Sequence, residues 1–311
     1  MRAVRVASTV GLSREDWLAI RRTGIGSSDI AGVLGLSPWA SPYMVWADKR
    51  GIVPPTEETE AMEIGTALEE PIARLFQRRH GRPVRRVRAI LRHPLYSFAL
   101  ANLDRVTDGG EAVVEIKATS RRWDSVPDHY MVQVQWQLGV TGLEYGYFVP
   151  LMGTRLDSVL IRRDDELIED MLEAASRFWQ QVHDGIEPTP SASEGDARIM
   201  ALLHPGDPEL PPVDLRERPG AVEALQRYLG AKATEGRARG HKDRAANALR
   251  SILGNATKAT LDGRTVITWS RFTEERVDTK ALKAEHPDIY ARFARTSPKQ
   301  AFRVYGGSDE E

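Results

Sequence analysis

The 311-residue sequence predicts an α/β (α+β) fold with a central mixed β-sheet flanked by helices, and three observations lead there. Helix and strand patterns follow one another as helix, two strands, helix, two strands, helix, an order that calls for a layered mixed sheet. Asp108-Gly109 lies between two mostly apolar runs, a short-range signal for a tight hairpin. In DDELIEDMLEAASRFWQQVHDG, residues such as Leu167, Ile168, Met171, Leu172 and Phe178 recur at i, i+3, i+4 spacing behind an acidic first turn, which makes an amphipathic helix able to cover that sheet.

The elements follow in order. SREDWLAIRR is a short helix with Ser13 as N-cap, broken by Gly24 and Gly26, and a second helix starts behind Ser27 or Ser28 with Ile30, Ala31, Val33 and Leu34 on its apolar side. TALEEPIARLFQRR is helical by the spacing of Leu68, Ile72, Leu75 and Phe76, with Thr66 and Glu69 at capping-box spacing and Pro71 tolerated near the start. After the hairpin come a helix in DSVPDHYMVQVQWQLGVTG, strands in LEYGYFVPL and RLDSVLIRR, and the amphipathic helix. From Glu187 the chain turns proline-rich, so residues 1–186 form the main domain, 187–219 a linker and 220–311 a smaller C-terminal module. That module reads as a long basic, alanine-rich helix over 220–253, a second Asp-Gly hairpin in ATLDGRTVITW, and one closing helix in DTKALKAEHPDIYARFAR.

Composition bounds the chemistry. Cysteine is absent, which removes disulfides, thiol nucleophiles, iron–sulfur clusters and cysteine zinc sites together. The seven histidines show no paired ligand spacing, so any metal sits on oxygen. No segment reaches the roughly 18 apolar residues of a spanning helix, and the N-terminus lacks the pattern of a secretory leader, so a cytoplasmic protein with no membrane partner is expected. The net charge of −1 gives no global sign of a polyanionic partner, but arginines crowd residues 74–92 while Glu57, Glu58, Glu60, Glu63, Glu69 and Glu70 crowd the segment before them. GIGSS lacks the lysine of a phosphate-binding P-loop, and no serine lies in a nucleophile elbow.

The hairpin carries the candidate site. A two-residue turn at Asp108-Gly109 pairs Thr107 with Gly110 and sets Asp104 opposite Val113, with Leu103, Val114 and Ile116 facing the other way. Asp104, Glu115 and Lys117 then share one face, the two acidic residues as diagonal neighbours about 7–8 Å apart at the backbone, close enough for both carboxylates to reach one ion between them. The residues alone leave two readings open. Lys117 can neutralise the pair as an ordinary surface ion pair, or the carboxylates can hold a hard divalent cation, Mg²⁺ being the usual choice where phosphate completes the shell.

Asp104, an eleven-residue step and then Glu115-Ile116-Lys117 resemble the D…ExK signature of the PD-(D/E)XK (restriction-endonuclease-like) nuclease superfamily, with Leu103 where the signature has proline. RRTGIGSSDIAGVLGLSPW with SPYMVWADKRG, then GTALEEPIARLF, then HYMVQVQWQLGVTG resemble, in that order, the YqaJ-type viral recombinases and the lambda exonuclease-like phage enzymes, over roughly residues 10–185.

That resemblance implies a Mg²⁺-dependent exonuclease, with Mn²⁺ able to substitute, that digests linear double-stranded DNA from the 5′ end. It further implies a homotrimeric ring, a single-strand annealing partner, and a phage or prophage origin with action in the bacterial host. Asp104, Glu115 and the Ile116 carbonyl would be metal ligands, Lys117 would position water, Glu69 would face the metal with Glu70 as the substitute, and Gln133 would be an active-site glutamine. Arg21 and Ser28 match positions that hold a 5′-phosphate, while Asn102 stands where the lambda-like enzymes carry a hydroxyl residue. Trp39 and Trp46 read as packing residues rather than base-stacking ones. An endonuclease of the same superfamily, a DNA-end-binding protein without catalysis, and an unrelated α/β protein with a surface ion-pair cluster are the alternatives.

Overall fold

The computed structural model describes residues 3–54, 59–295 and 301–305, so Glu57 and Glu58 of the acidic run lie outside the described residues. The chain divides into two compact units, residues 1–205 and 206–311.

The first unit is the mixed α/β layer the sequence predicts. Its helices are α1 (Arg14–Arg21), α2 (Ile30–Val33), α3 (Pro42–Lys49), α4 (Glu60–His80), α5 (Asp128–Thr141), α6 (Asp165–Asp184) and α7 (Glu194–Leu203). Strands β1 (Val4–Ser8), β3 (Ala89–Arg92) and β4 (Leu100–Ala101) form a small antiparallel sheet. The larger sheet runs β2 (Val84–Arg85), β5 (Arg105–Thr107), β6 (Ala112–Thr119), β7 (Tyr145–Met152), with β8 (Arg155–Leu156) and β9 (Val159–Arg162) both on β7. Its pairings are antiparallel except β6 with β7, which are parallel and joined through the crossover helix α5. RLDSVLIRR is thus two short strands rather than one. Pro150 falls between their pairings, where its missing N–H costs no ladder bond, and its carbonyl accepts from Asp157 N at 3.0 Å.

β6 lies between two apolar layers. Val114 and Ile116 meet Ile72, Ala73 and Phe76 of α4 on one side. Val113 joins Val134, Trp136 and Leu138 of α5, Phe148 of β7 and Ile168 and Met171 of α6 on the other. Residues Ala112 to Ile116 are all buried, so any polar side chain among them must find its partners inside the protein. Leu103 sits in the α5 layer, not with Val114 and Ile116 as expected.

Several boundaries differ from expectation for local reasons. Helix α4 begins at Glu60 with Thr59 as N-cap, its hydroxyl accepting from Met62 N, so Thr66 and Glu69 lie in the helix interior and form no capping box; Pro71 is likewise interior, on the exposed side. Helix α2 starts after Asp29, which makes no side-chain cap, and neither Ser27 nor Ser28 caps it. The proline-rich stretch contains α7, which is fastened to the first unit because buried Asp196 accepts from Ser41 Oγ at 2.5 Å and from Ser191 N at 2.5 Å.

The second unit has helix α8 (Ala221–Leu253), hairpin β10 (Lys258–Leu261) with β11 (Arg264–Thr268), and helices α9 (Thr279–Glu285) and α10 (Pro287–Phe293). The expected closing helix is two helices because His286 precedes a proline, which disfavours the helical conformation there, and Pro287 starts the second as its first residue. None of the described residues of α8 is buried.

Among the described glycines, Gly24 leaves the least room for a side chain. Ile25 N donates to Phe98 O at 2.7 Å and Leu100 N to Ile25 O at 2.9 Å, and a Cβ on Gly24 would stand 2.3 Å from Phe98 O. Gly24→Ala is expected to destabilise the protein by about 1–3 kcal/mol, the usual range for overpacking. Urea unfolding with an unchanged midpoint would show that the bridge can yield.

Candidate active site

The β5–β6 register is two residues from the expected one. Arg105 pairs with Val114 and Val106 with Val113, so the loop is four residues long, with Gly110 at φ +70° and Thr107 Oγ1 accepting from Glu111 N and Ala112 N. Continuing that register by one residue brings Asp104 level with Glu115, directly opposite rather than diagonal. A slip of two preserves the faces, so the acids still converge.

Glu115 is 1% exposed on the central strand. Its carboxylate accepts from Lys117 Nζ, from Gln133 Nε2 at 2.6 Å and from Gln137 Nε2 at 2.7 Å. Two of these donors stand one turn apart on α5, which is the reason the helix face above β6 is polar just there. Asp104 accepts from Ile116 N at 2.9 Å. Burial, and then the neighbouring Glu115 carboxylate, push the Asp104 carboxyl up to about 7, with Glu69 adding to the rise against the pull of Lys117 and the Ile116 amide. Burial would lower the Lys117 ammonium, but the Glu115 and Asp104 carboxylates outweigh it and hold the amine above its ordinary value. The amine also lies 5.5 Å from the centre of the Tyr130 ring.

Glu69 and Asp104 line one cavity of about 420 Å³ together with Asn102, Arg86 and Arg88. The Glu69 carboxylate is 3.4 Å from the guanidinium of Arg105, which is 3% exposed and also binds Glu70 at 3.1 Å and the Asp104 carbonyl at 2.7 Å. Glu70 turns to Arg74, Arg86 and Arg105 instead.

Among the described residues no three acidic or histidine groups stand close enough to form a ready-made cation cage. The donor set nevertheless suits a hard divalent ion that keeps water or phosphate in its remaining positions. Two carboxylates and a backbone carbonyl are hard oxygen donors, and Asp104, raised first by burial and then by the Glu115 carboxylate, is a group whose charged form a cation would favour.

Arg21 and Ser28 come together as expected, Arg21 Nη2 donating to Ser28 Oγ at 3.0 Å. Two further residues complete this group. Asp29 binds Arg21 at 2.6 Å through one oxygen and the fully buried amine of Lys49 at 2.6 Å through the other. Burial alone would raise the Asp29 carboxyl, but Arg21 and Lys49 hold it below its ordinary value of 3.8. Asp48 joins the same group, 3.7 Å from Lys49 and 3.9 Å from Arg22, so three cations face two carboxylates and leave a net charge of +1, which suits an anion. Asn102 lies between the two groups, its carbonyl accepting from Ser27 Oγ at 3.5 Å and from Gln137 Nε2 at 3.3 Å.

The sequence reading missed Gln137, Lys49, Asp29 and Arg105. For Gln137 a signal existed in QVQWQ, since a glutamine four residues after Gln133 lies on the same helix face. Trp39 was expected to pack and is 62% exposed, whereas Trp46 is buried.

An acid just before the first strand of a β-hairpin, a second acid on its other strand, an amine two residues after that one, and a parallel neighbour strand reached through a helix are the arrangement of a PD-(D/E)XK-type α/β protein. Residues 16–144 match the profile of the YqaJ-like viral recombinase domain. The chain is 35% identical over 314 aligned positions to the uncharacterised protein YqaJ of Bacillus subtilis, covering 97% of this chain and 98% of that one. It belongs to the YqaJ-like viral recombinase family. A shorter stretch of 53 residues is 43% identical to protein D345L of African swine fever virus, spanning 17% of this chain and 15% of that one. Among solved structures, an alkaline exonuclease (LHK-Exo) from Laribacter hongkongensis is similar at 26% identity and a TM-score of 0.47, over 56% of this chain and 94% of that one.

The Asp29 ion pairs give a signed expectation. A carboxyl held below its ordinary value contributes stability above pH 3.8 that is lost as pH falls through its lowered folded value. Lys49→Met removes part of that contribution, so its deficit in unfolding free energy against the unsubstituted protein is expected to be full near neutral pH and to shrink below about pH 4. A deficit that stays constant down to acid unfolding would contradict the assignment.

Proposed function

We propose that this protein is a Mg²⁺-dependent exodeoxyribonuclease, with Mn²⁺ able to replace Mg²⁺, that digests linear double-stranded DNA from its 5′ end. The observation that carries the reading is the buried Glu115 carboxylate, held by Lys117, Gln133 and Gln137 level with Asp104. A buried acid on a central strand is costly as scaffolding, and three donors aimed at it make sense if it must stay fixed for chemistry.

Asp104, Glu115 and the Ile116 carbonyl are the groups that would hold the ion. When bound there, it would polarise a phosphate and acidify a water. Lys117, charged and partly open to solvent, holds that water or offsets the charge that builds on the phosphate oxygens. Gln133 and Gln137 fix the direction of the Glu115 oxygens, and Arg105 restrains Glu69 at the edge of the same cavity. Arg21 and Ser28 would take the 5′-phosphate, with Asp29 and Lys49 setting the guanidinium and Asn102 tying the pocket to the acid site.

Membership of the family and the sequence resemblance to lambda-like enzymes support the wider setting: a phage- or prophage-encoded enzyme acting in the bacterial cytoplasm, assembled as a homotrimer and feeding a single-strand annealing protein. Among the described residues no helix is long and apolar enough to cross a membrane. We assign the exonuclease domain to residues 1–186 and a supporting role to residues 220–311, with α7 of the intervening 187–219 stretch held on the first unit.

Digestion of an end-labelled linear duplex with Mg²⁺ tests the reading. Glu115→Gln and Lys117→Ala are each expected to slow digestion by about 10²–10³-fold or more with the fold retained by circular dichroism, the loss typical of removing a preorganised charge. Full activity in either variant would move the chemistry elsewhere. Arg21→Ala is expected to erase any preference for 5′-phosphorylated over 5′-hydroxyl ends, and a preference that survives would place the phosphate pocket away from Arg21 and Ser28.

A further inference from the structure

An aromatic ladder leads outward from the Lys117 amine. Nζ of Lys117 lies over the Tyr130 ring, Tyr130 meets His129 with ring centres 4.2 Å apart, and His129 meets Trp39 edge to face at 5.0 Å. Trp39 also approaches Tyr130 directly, at 6.2 Å. The inner end is anchored in the core, since Tyr130 stacks on Phe148 at 5.3 Å and contacts Trp123 at 5.3 Å. The outer end is open. Trp39 is 62% exposed, while Trp17, Trp46, Trp123, Trp136 and Trp179 of the same unit are buried or half-buried.

The exposed indole is held in place rather than left loose. Ser37 Oγ accepts from both Trp39 N at 3.2 Å and Ala40 N at 3.1 Å, which fixes the backbone that presents the ring. Arg121 and Arg122, the two residues before Trp123 on the segment leaving β6, are exposed. An exposed aromatic face with a cation close by, here Lys117 over Tyr130, suits a single strand of nucleic acid, because every base offers a π-face and every nucleotide a phosphate. In a duplex every base except those of the terminal pairs keeps both faces stacked on its neighbours, so an aromatic ladder gains most from unpaired bases.

We infer that Trp39, supported by His129 and Tyr130, is a stacking platform for unpaired bases of single-stranded DNA beside Lys117. The inference rests on the nuclease reading, which places scissile DNA at that lysine, and adds to it a surface that would retain the unpaired strand. Trp39 acts here as a binding residue and takes no part in the hydrolysis itself.

The test uses the full-length protein and a single-stranded oligonucleotide of about 12 nucleotides containing 2-aminopurine, in EDTA so that no cleavage occurs. Quenching of the 2-aminopurine reports stacking, and anisotropy reports affinity. Trp39→Ala and Trp39→Leu are expected to bind roughly tenfold more weakly and to lose the quench, while Trp39→Phe retains most of both. Because the indole is largely exposed, thermal unfolding of all three variants should stay close to that of the unsubstituted protein. Equal affinity and quench in all four proteins, or recovery by leucine as good as by phenylalanine, overturns the platform. Digestion of duplex DNA by the unsubstituted protein, run in parallel with Mg²⁺, separates the two readings. Cleavage together with indifference to Trp39 rejects the platform alone, whereas absence of cleavage rejects the nuclease reading and with it the platform's placement beside scissile DNA.

Discussion

Burial of the Glu115 carboxylate under helix α5 is the constraint on which the rest of the first unit turns. β6 must be covered on both faces, because α4 takes one side and α5 the other, and a charge in that position survives only with its lone pairs met. Lys117, Gln133 and Gln137 meet them. The amine comes from the same strand two residues on, which the period of a strand guarantees, and the amides come from one helical turn of α5. The parallel crossover that joins β6 to β7 is therefore also the device that delivers the two glutamines.

From that centre the polar contacts extend in two directions. Toward β5 lies Asp104, whose carboxyl is raised by burial and then by the neighbouring Glu115, and beyond it Glu69 restrained by Arg105. Toward the N-terminal segment, Gln137 shares the Asn102 carbonyl with Ser27, and the neighbouring Ser28 binds Arg21. The acid cluster and the cationic cluster are thus joined by a short run of hydrogen bonds. Substrate held by its terminal phosphate at one would lie in a fixed relation to the other, and such positioning is a large part of what a phosphodiester hydrolase must supply.

Much of this was legible in the sequence because it depends on periodicity. The amphipathic α6, with Asp164 accepting from Leu167 N and Gly185 in the left-handed region at its end, follows its pattern closely. The shared face of Asp104, Glu115 and Lys117 tolerated a register error of two, since side chains alternate with period two. What was lost depended on facts that spacing does not carry. Thr59 outcompetes Thr66 as the start of α4 because the acidic turn of Glu60 and Glu63 also folds as helix, and the pair of half-buried Asp29 with buried Lys49 joins segments twenty residues apart. The exposure of Trp39 is set by the loop around Ser37, not by the apolar character of the residue.

The central claim is that Asp104 and Glu115 form one site for a divalent cation. Anomalous diffraction from a crystal soaked in Mn²⁺ tests it most directly. A manganese peak in coordinating contact with both carboxylates is expected, with the Lys117 amine close by. A crystal whose only manganese lies elsewhere, with Glu115 still closed on Lys117 and the two glutamines, would contradict it.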